Sequence, residues 1–254
     1  MKVTFLGTGT SQGVPMIGCD CEICSSEDPR DKRLRSSVLI SKNNINILVD
    51  IGPDFRQQIL NNNVKDLHAI LITHEHNDHI IGLDDVRPFN FLYRRNMPVY
   101  CVERVADELR TRFAYIFNHN PYPGAPRVEL RLINEHDPFK VKGLDIIPIE
   151  VFHGELSVLG FRFDDFTYIT DAKFFPEKSI EKIKGTKVLV LNALHHNEHH
   201  SHLNLAQALE FIKFIQPKKA FIVHISHNMG LHKAVNHKLP ANVYLAHDGQ
   251  IVNV

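Results

Sequence analysis

A cluster of metal-binding side chains stands out in the middle of the chain. His74, His76, Asp78 and His79 form the pattern H-x-H-x-D-H directly after an apolar, strand-like segment. Imidazole nitrogens and a carboxylate oxygen make a ligand set that suits zinc, manganese or iron. The spacing predicts that the first two histidines face one ion, while Asp78 and His79, a turn further on, face a second. The alternative is a solvated loop that is rich in histidine.

Three cysteines form a second cluster near the N-terminus. Cys19, Cys21 and Cys24 are too close together for all of them to pair as disulfides. A thiol cluster of this kind in the cytosol is typical of a metal site, and the alternative is three reduced thiols at the surface. The fourth cysteine, Cys101, lies in an apolar segment and is predicted to be a small buried hydrophobic residue.

Three further polar residues lie beyond the ends of predicted strands. His153, Asp171 and His224 each follow an apolar, strand-like segment. Ligands in α/β folds commonly bind at such strand ends. Alone, each residue would be an ordinary polar loop residue. The H-x-H-x-D-H run needs partners, and therefore favours these three as additional ligands.

Short apolar segments and amphipathic helices must position these residues. Apolar spacing predicts helices through Val105, Leu109, Phe113 and Ile116 and around 206–215, and Pro53 can open another helix. An Asp-Gly turn at 248–249 predicts a C-terminal hairpin of 243–246 with 251–254. This mixture predicts an α/β sandwich, with two sheets in the middle and helices outside. The other predicted strands are 3–6, 38–40, 45–49, 69–73, 98–101, 144–149, 166–170, 187–191 and 220–223.

Composition narrows the class of protein. Of the 254 residues, 29 Lys and Arg balance 29 Asp and Glu, so a nucleic acid is not expected as the main partner. No apolar run approaches the roughly 18 residues of a membrane span, and no signal peptide is evident, which predicts a cytoplasmic protein. With no repeat or linker, residues 1–254 are predicted to form one domain. The chain has 17 histidines, more than the packing of a core or the solvation of a surface requires.

Several motifs together resemble those of a known family. The H-x-H-x-D-H run, F-L-G-T-G-T at 5–10, D-I-G at 50–52, H-G at 153–154, T-D at 170–171 and V-H at 223–224 resemble the metallo-β-lactamase superfamily, which implies an αββα four-layer sandwich. The cysteine segment 18–24, G-V-P at 13–15 and H-I-S-H at 224–227 are similar to the phosphoribosyl 1,2-cyclic phosphate phosphodiesterases. Those enzymes belong to the branch that contains the tRNA 3′-processing nucleases.

The resemblance implies two active-site metals and one structural zinc. His74, His76 and His153 would hold the first metal, Asp78, His79 and His224 the second, and Asp171 would bridge them. Cys19, Cys21, Cys24 and His227 would form a closed Cys₃His site, an arrangement of structural zinc that would staple the loop 19–24 to the last ligand loop.

The resemblance also implies a proton donor just before the helix at 206–215. An ungapped alignment favours His200 as the general acid, with His202 as the alternative; Asp78 is counted as catalytic as well as a ligand. The neighbours His195, His196 and His199 are predicted to lie in a solvated loop. The isolated histidines predicted at the surface are His68, His119, His136, His232 and His237.

Charge favours a phosphodiester as the substrate. Two divalent ions outweigh Asp78 and Asp171, so the site prefers an anion whose charge grows in the transition state. Two metals can also generate a hydroxide and hold the attacking and leaving oxygens. The sequence therefore predicts a dinuclear phosphodiesterase (Zn, Mn or Fe) for a small cyclic or nucleotide-like phosphate. A homodimer is possible. One alternative is tRNA 3′-end processing, but residues 103–137 carry balanced charges, which disfavours an RNA-binding role. The other alternative is a small-molecule carrier without catalytic activity, in which a metal only stabilises the fold.

Overall fold

The computed structural model describes residues 1–120 and 122–254. The strands are β1 (Lys2–Gly7), β2 (Ser37–Lys42), β3 (Ile45–Val49), β4 (Ala69–Leu71), β5 (Met97–Cys101), β6 (Val128–Leu132), β7 (Phe139–Val141), β8 (Leu144–His153), β9 (Leu156–Phe163), β10 (Phe166–Tyr168), β11 (Val188–Asn192), β12 (Lys219–Val223), β13 (Val243–Leu245) and β14 (Ile251–Asn253). The α-helices are α1 (Phe55–Asn61), α2 (Asn77–Ile80), α3 (Arg87–Tyr93), α4 (Glu103–Arg112), α5 (Ala114–Phe117), α6 (Glu177–Ile183), α7 (Leu205–Ile215) and α8 (His232–Lys238).

Within the described residues these strands form two sheets of seven. The first has the order β14-β1-β2-β3-β4-β5-β6 and the second the order β13-β12-β11-β10-β9-β8-β7. Parallel pairing joins β3 to β6 in one sheet and β10 to β13 in the other. The carboxyl ends of these parallel strands, and the loops that follow them, therefore lie at one edge of each sheet.

Alternation along the strands explains why both faces of each sheet are covered. Val38 and Ile40 of β2 pack between the two sheets, whereas Leu39 between them faces outward toward the helices. Since successive side chains of a strand point to opposite faces, a continuous apolar run requires cover on both sides. Helices α1, α3 and α4 cover the first sheet, and α6, α7 and α8 cover the second. The layer order is αββα, as predicted.

The predicted C-terminal hairpin is wrong. Strand β13 pairs in parallel with β12 in the second sheet, while β14 pairs antiparallel with β1 in the first. The Asp248-Gly249 turn carries the chain from one sheet to the other. Its carboxylate accepts hydrogen bonds from the Thr8 hydroxyl and the Leu34 N–H, at 2.7 Å each. These long-range contacts, and not the turn sequence, select the partners of the last two strands.

The other element predictions agree with the structure apart from their ends. The predicted helix through Val105 and Ile116 is divided at Phe113 into α4 and α5, and the helix after Pro53 is α1. Cys101 is fully buried, as predicted, and burial raises the pKa of its thiol to about 12. Among the described residues, no helix has the length and apolar character needed to cross a bilayer.

His232 is not at the surface, which corrects the prediction. It is 4% exposed, and its Nδ1 lies 3.2 Å from the guanidinium of Arg33, which is itself buried. Arg33 also donates to the Thr8 hydroxyl and to the Ala246 carbonyl oxygen. Burial and the charge of Arg33 lower the pKa of His232 to about 4, so the ring is neutral at pH 7. The packing of distant loops creates this environment, and the local sequence does not reveal it.

Candidate metal centre

The carboxyl ends of four strands, three of them in the parallel parts of the sheets, bring the predicted ligands together. His74 to His79 follow β4, His153 ends β8, Asp171 follows β10 and His224 follows β12. Asp171 and His224 have left-handed backbones, with φ of 59° and 56°. Such conformations are unfavourable for residues other than glycine and concentrate at functional sites. They turn the chain sharply so that both side chains face the same point.

One group of donor atoms gathers around His79. Its Nε2 lies 3.2 Å from Asp78 Oδ2 and 3.4 Å from Asp171 Oδ2. The other oxygen of Asp171 lies 3.2 Å from His224 Nε2. The donor atoms of Asp78, His79 and His224 all lie within 4.8 Å of one another. This group matches the second predicted ligand set, with Asp171 beside it.

The other group consists of His74, His76 and His153. His74 Nε2 and His76 Nδ1 face each other at 3.0 Å, and the ring of His153 lies 5.3 Å from that of His76. The donor atoms of His74, His79 and Asp171 also lie within 4.8 Å of one another. Asp171 therefore stands between the two groups, at the position predicted for a bridging ligand.

Neighbouring acceptors orient several of these rings. The Nδ1–H of His79 donates to Asp50 Oδ2 at 2.7 Å, and that of His153 donates to the carbonyl oxygen of Ser201 at 2.8 Å. His74 Nδ1 lies 2.9 Å from the Thr73 hydroxyl oxygen. A histidine whose Nδ1–H is engaged in this way keeps the lone pair of Nε2 for a metal. The three rings are therefore held in the tautomer that a metal site requires.

The arrangement fits metal ions better than it fits hydrogen bonding alone. His79 Nε2 is buried and has no hydrogen-bond partner among the described residues, although two carboxylates lie nearby. If Thr73 accepts the Nδ1–H of His74, the Nε2 of His74 has no proton to share with His76. Buried polar atoms are ordinarily satisfied, so a donor set of this kind indicates a cation as the common partner.

The carboxylates give the centre a field that favours positive charge. Burial opposes charge on His79, yet Asp78, Asp50 and Asp171 raise the pKa of its ring well above the usual value. Burial likewise opposes ionisation of Asp171, but His224, His79 and other surrounding imidazoles hold the pKa of its carboxyl well below its usual range. The carboxylates therefore stay ionised in a buried site, where divalent cations can neutralise them.

The two candidate acids occupy different positions. His202 is 8% exposed, its Nδ1 lies 3.7 Å from Asp171 Oδ1, and its ring lies 4.4 Å from that of His153. His200 is exposed, and its nearest ring neighbour is His199 at 4.4 Å. Burial and the nearby His224 lower the pKa of His202 to about 2. The structure therefore brings His202 into the centre and leaves His200 outside it.

The second predicted site gathers three thiols around one ring nitrogen. His227 Nδ1 lies 3.4 Å from the sulfurs of Cys19 and Cys21 and 3.5 Å from that of Cys24. Tetrahedral zinc, with ligand distances of about 2.3 Å to sulfur and 2.0 Å to nitrogen, would separate these atoms by about 3.5 Å. The backbone N–H of Cys24 and the His227 ring lower the pKa of the Cys21 thiol to about 6, which favours the thiolate that binds metal.

Sequence reasoning did not assign a role to several residues around the centre. Asp50 is fully buried, holds His79 and accepts from both the N–H and the hydroxyl of Thr73 at 2.9 Å. The Thr10 hydroxyl lies 3.2 Å from His224 Nε2. The sequence did contain a signal for Asp50, because in D-I-G at 50–52 it is a polar residue directly after an apolar strand. Arg87 forms an ion pair with Asp84.

The comparisons with known proteins agree on a family. The family model described as the β-lactamase superfamily domain matches residues 45–225. A solved structure described as a new diphosphatase from the PhnP family is 39% identical, with a TM-score of 0.93, covering 100% of this chain and 97% of that one. Zinc-bound PqqB from Methylobacterium extorquens, at 18% identity and a TM-score of 0.82, shares the fold over the full length of both chains.

A curated relative carries a different name. The octanoyltransferase of Porphyromonas gingivalis is 39% identical over 251 residues, which are 98% of this chain and 51% of that protein. The chain therefore spans about half the length of this relative. The named activity belongs to a protein with a second half that has no counterpart in the aligned residues.

Proposed function

Because the chain belongs to the metallo-β-lactamase superfamily, and within it to the PhnP family, we propose that it hydrolyses a small phosphodiester with two divalent metal ions. The chain is a metal-dependent hydrolase by family. The observation that supports the finer proposal is the position of Asp171, between two groups of ligands that converge from four loops. A metal-stapled carrier would not need two complete ligand groups that share one carboxylate.

The proposed ligands divide between two ions. When bound, the ions would supply Lewis acidity and lower the pKa of water for attack on phosphorus. Zinc, manganese and iron all suit this donor set. The proposed ligands are His74, His76 and His153 for the first ion, Asp78, His79 and His224 for the second, and Asp171 for both.

The chain's own residues set the charge of the centre. Asp50 adds a third buried carboxylate, which the sequence argument did not count. With Asp50 ionised, the three carboxylates leave one positive charge of the two divalent ions uncompensated before a hydroxide binds, and none after it. The ions would therefore be free to stabilise the further negative charge that a phosphate ester gains in the transition state, without an excess of negative charge in the centre to repel it.

We propose His202 as the proton donor to the leaving oxygen. It lies outside the two proposed ligand sets, although its donor atom is within 4.8 Å of those of Asp171 and His153, whereas His200 is exposed. An anionic phosphate beside His202 would oppose the effect of burial and favour the protonated ring. Asp78 would act by holding the second ion, and Ser201 would fix His153 through its carbonyl oxygen.

A diphosphate ester is the second candidate substrate. The PhnP-family relative, which is 39% identical over nearly all of both chains, is described as a diphosphatase. The same metal centre could hydrolyse a phosphodiester or a diphosphate ester, because both reactions cleave a P–O bond and pass through an anionic transition state. Octanoyl transfer has weaker support, since this chain matches only half of the relative with that name.

Hydrolysis assays with metal-reconstituted protein test the proposal. Turnover of bis(p-nitrophenyl) phosphate with Mn²⁺ or Zn²⁺, lost in Asp171→Ala, would support the phosphodiesterase. Cyclic phosphates, diphosphate esters, a precursor tRNA and an octanoyl thioester then distinguish the substrates. No turnover of any phosphate ester by protein that holds two metals would contradict the proposal. A preference for the thioester would contradict it as well. A cytoplasmic location and a homodimer remain predictions.

A further inference from the structure

A basic groove lies at the edge of the first sheet opposite the metal centre. Its cavity of about 390 Å³ is lined by four cations, Arg94, Arg95, Arg131 and Lys142, and by Glu129. The groove lies at the start of β5 and β6, whereas the metal ligands follow the carboxyl end of β4. Five residues of parallel strand span roughly 16 Å, so the groove is separate from the active site.

Two of the four cations are held in place by partners on the protein. Arg95 pairs with Asp66 and donates to the carbonyl oxygen of Leu67. Arg131 pairs with Glu129 at 3.0 Å and donates to the Tyr100 hydroxyl, also at 3.0 Å. These contacts order the two guanidinium groups and offset part of their charge.

The other two cations, Arg94 and Lys142, retain their charge. Within residues 1–120 and 122–254, no carboxylate lies within ion-pair distance of either side chain. Lys142 and Arg95 both act on the half-buried His68 in the same groove and lower its pKa, after the larger effect of burial. The chain as a whole is neutral, so the groove concentrates positive charge that the protein itself does not balance.

The backbone at these two cations is unfavourable for their residue types. Arg94 ends α3 with φ 51°, and Lys142 has φ 51° in the turn between β7 and β8. Glycine or asparagine suits such left-handed positions better. Other non-glycine residues with this conformation include turn asparagines, such as Asn43, and the metal-centre residues Asp171 and His224. Gln216 at the end of α7 and Asp164 share this conformation, so it serves here only to choose replacements that the backbone accepts.

A second cavity adjoins the groove. It has a volume of about 430 Å³, shares Arg94 with the first cavity and is lined by Arg127, Phe91 and Tyr122. Phe91 is 59% exposed and Tyr122 51% exposed, so both rings are open to solvent beside Arg94 and Arg127. Flat aromatic faces next to cations can stack on the ring of a ligand whose charged part contacts the cations.

We propose that this groove binds a nucleotide at a site distinct from the metal centre. The phosphates contact Arg94 and Lys142, between the ordered guanidinium groups of Arg95 and Arg131. The base lies in the adjoining cavity against Phe91 and Tyr122. Arg94 lines both cavities and therefore stands where the two parts of the ligand join.

Calorimetric titration of the metal-loaded protein with α,β-methylene-ADP, which resists hydrolysis, tests this site. The double variant Arg94→Gly, Lys142→Asn should bind the analogue at the groove about 100-fold more weakly. Both replacements suit the left-handed backbone, so the melting temperature should stay the same or rise. Turnover of bis(p-nitrophenyl) phosphate should not change. Gln216→Gly, at the left-handed end of α7, is the matched control, with unchanged binding.

Two further measurements separate the parts of the ligand. Phe91→Ser, an exposed change, should weaken binding of the analogue about tenfold without affecting pyrophosphate. Wild-type affinity and stoichiometry in the double variant would overturn the proposal. It would also be overturned by a wild-type protein that binds the analogue at the metal centre alone, or that binds pyrophosphate as tightly as the analogue. These readouts do not depend on the enzyme's substrate, so failure of the proposed function would leave the test intact.

Discussion

The substitution Asp50→Asn should remove the second metal while leaving the fold in place. Asp50 is fully buried, and its Oδ2 accepts the Nδ1–H of His79 at 2.7 Å. Its Oδ1 accepts the N–H of Thr73, a backbone donor that cannot change. The asparagine must therefore keep its oxygen on Thr73 and turn its NH₂ group toward His79. Two donors would then face each other unless the imidazole changes tautomer.

The change of tautomer determines how much the substitution weakens metal binding. With the proton moved from Nδ1 to Nε2, the atom that faces Asp78 and Asp171 no longer has a lone pair for a metal. Loss of an orienting partner of a ligand typically weakens metal binding 10–100-fold, which is about 1.4–2.7 kcal/mol. Removal of the acceptor in Asp50→Ala should cost more stability, because the buried donors of His79 and Thr73 lose their partner.

Metal titration followed by elemental analysis measures this effect. The variant should retain the zinc of the cysteine site and the ion held by His74 and His76, but it should lose the second active-site ion at metal concentrations that saturate the wild type. Asp54→Asn is the matched control on the same loop, because Asp54 contacts Arg35 and no proposed ligand. If Asp50→Asn binds two active-site ions with wild-type affinity, the proposed control of the His79 tautomer is refuted.

Three other predictions test the rest of the structure. Cys21→Ser should remove one zinc equivalent and lower Tm by about 5–10 °C, and unchanged zinc content and melting would rule out the structural site. His202→Ala should slow esters with alkoxide leaving groups about 10²–10⁴-fold but barely affect p-nitrophenyl esters, with both active-site metals retained. The same pattern in His200→Ala instead would show that the exposed residue is the acid. Gly52→Ala should destabilise the fold by about 1–3 kcal/mol in denaturant titrations, since its Cβ would lie 2.0 Å from the Asp78 carbonyl oxygen, and an unchanged midpoint would contradict the packing.

Residues close together in sequence were the easiest to assign to a site. The H-x-H-x-D-H run and the cysteines at 19–24 each place several ligands on one loop, so their chemistry is visible before any fold is known. The outlying His153, Asp171 and His224 were predicted from strand ends and from family resemblance. The structure brings all of these side chains together.

The proton donor shows the limit of this reasoning. His200 and His202 lie two residues apart in a histidine-rich loop, and their chemistry is the same. The structure distinguishes them by burial, since only His202 lies against Asp171 and His153. Which of the two histidines faces the metal centre depends on how the loop before α7 packs. The ungapped alignment that favoured His200 could not determine it.

The sequence by itself determined the layers and the chemistry. Apolar runs of strand length require cover on both faces, and closely spaced histidines and cysteines indicate metal sites. The tertiary structure alone decided three other features: Asp50 lies behind His79, His202 and not His200 lies beside Asp171, and β14 pairs in the first sheet instead of in a hairpin. The physical reason is that periodicity and ligand type are local properties of the chain. Partners far apart in sequence are selected by burial and hydrogen bonding, which exist only once the sheets have packed.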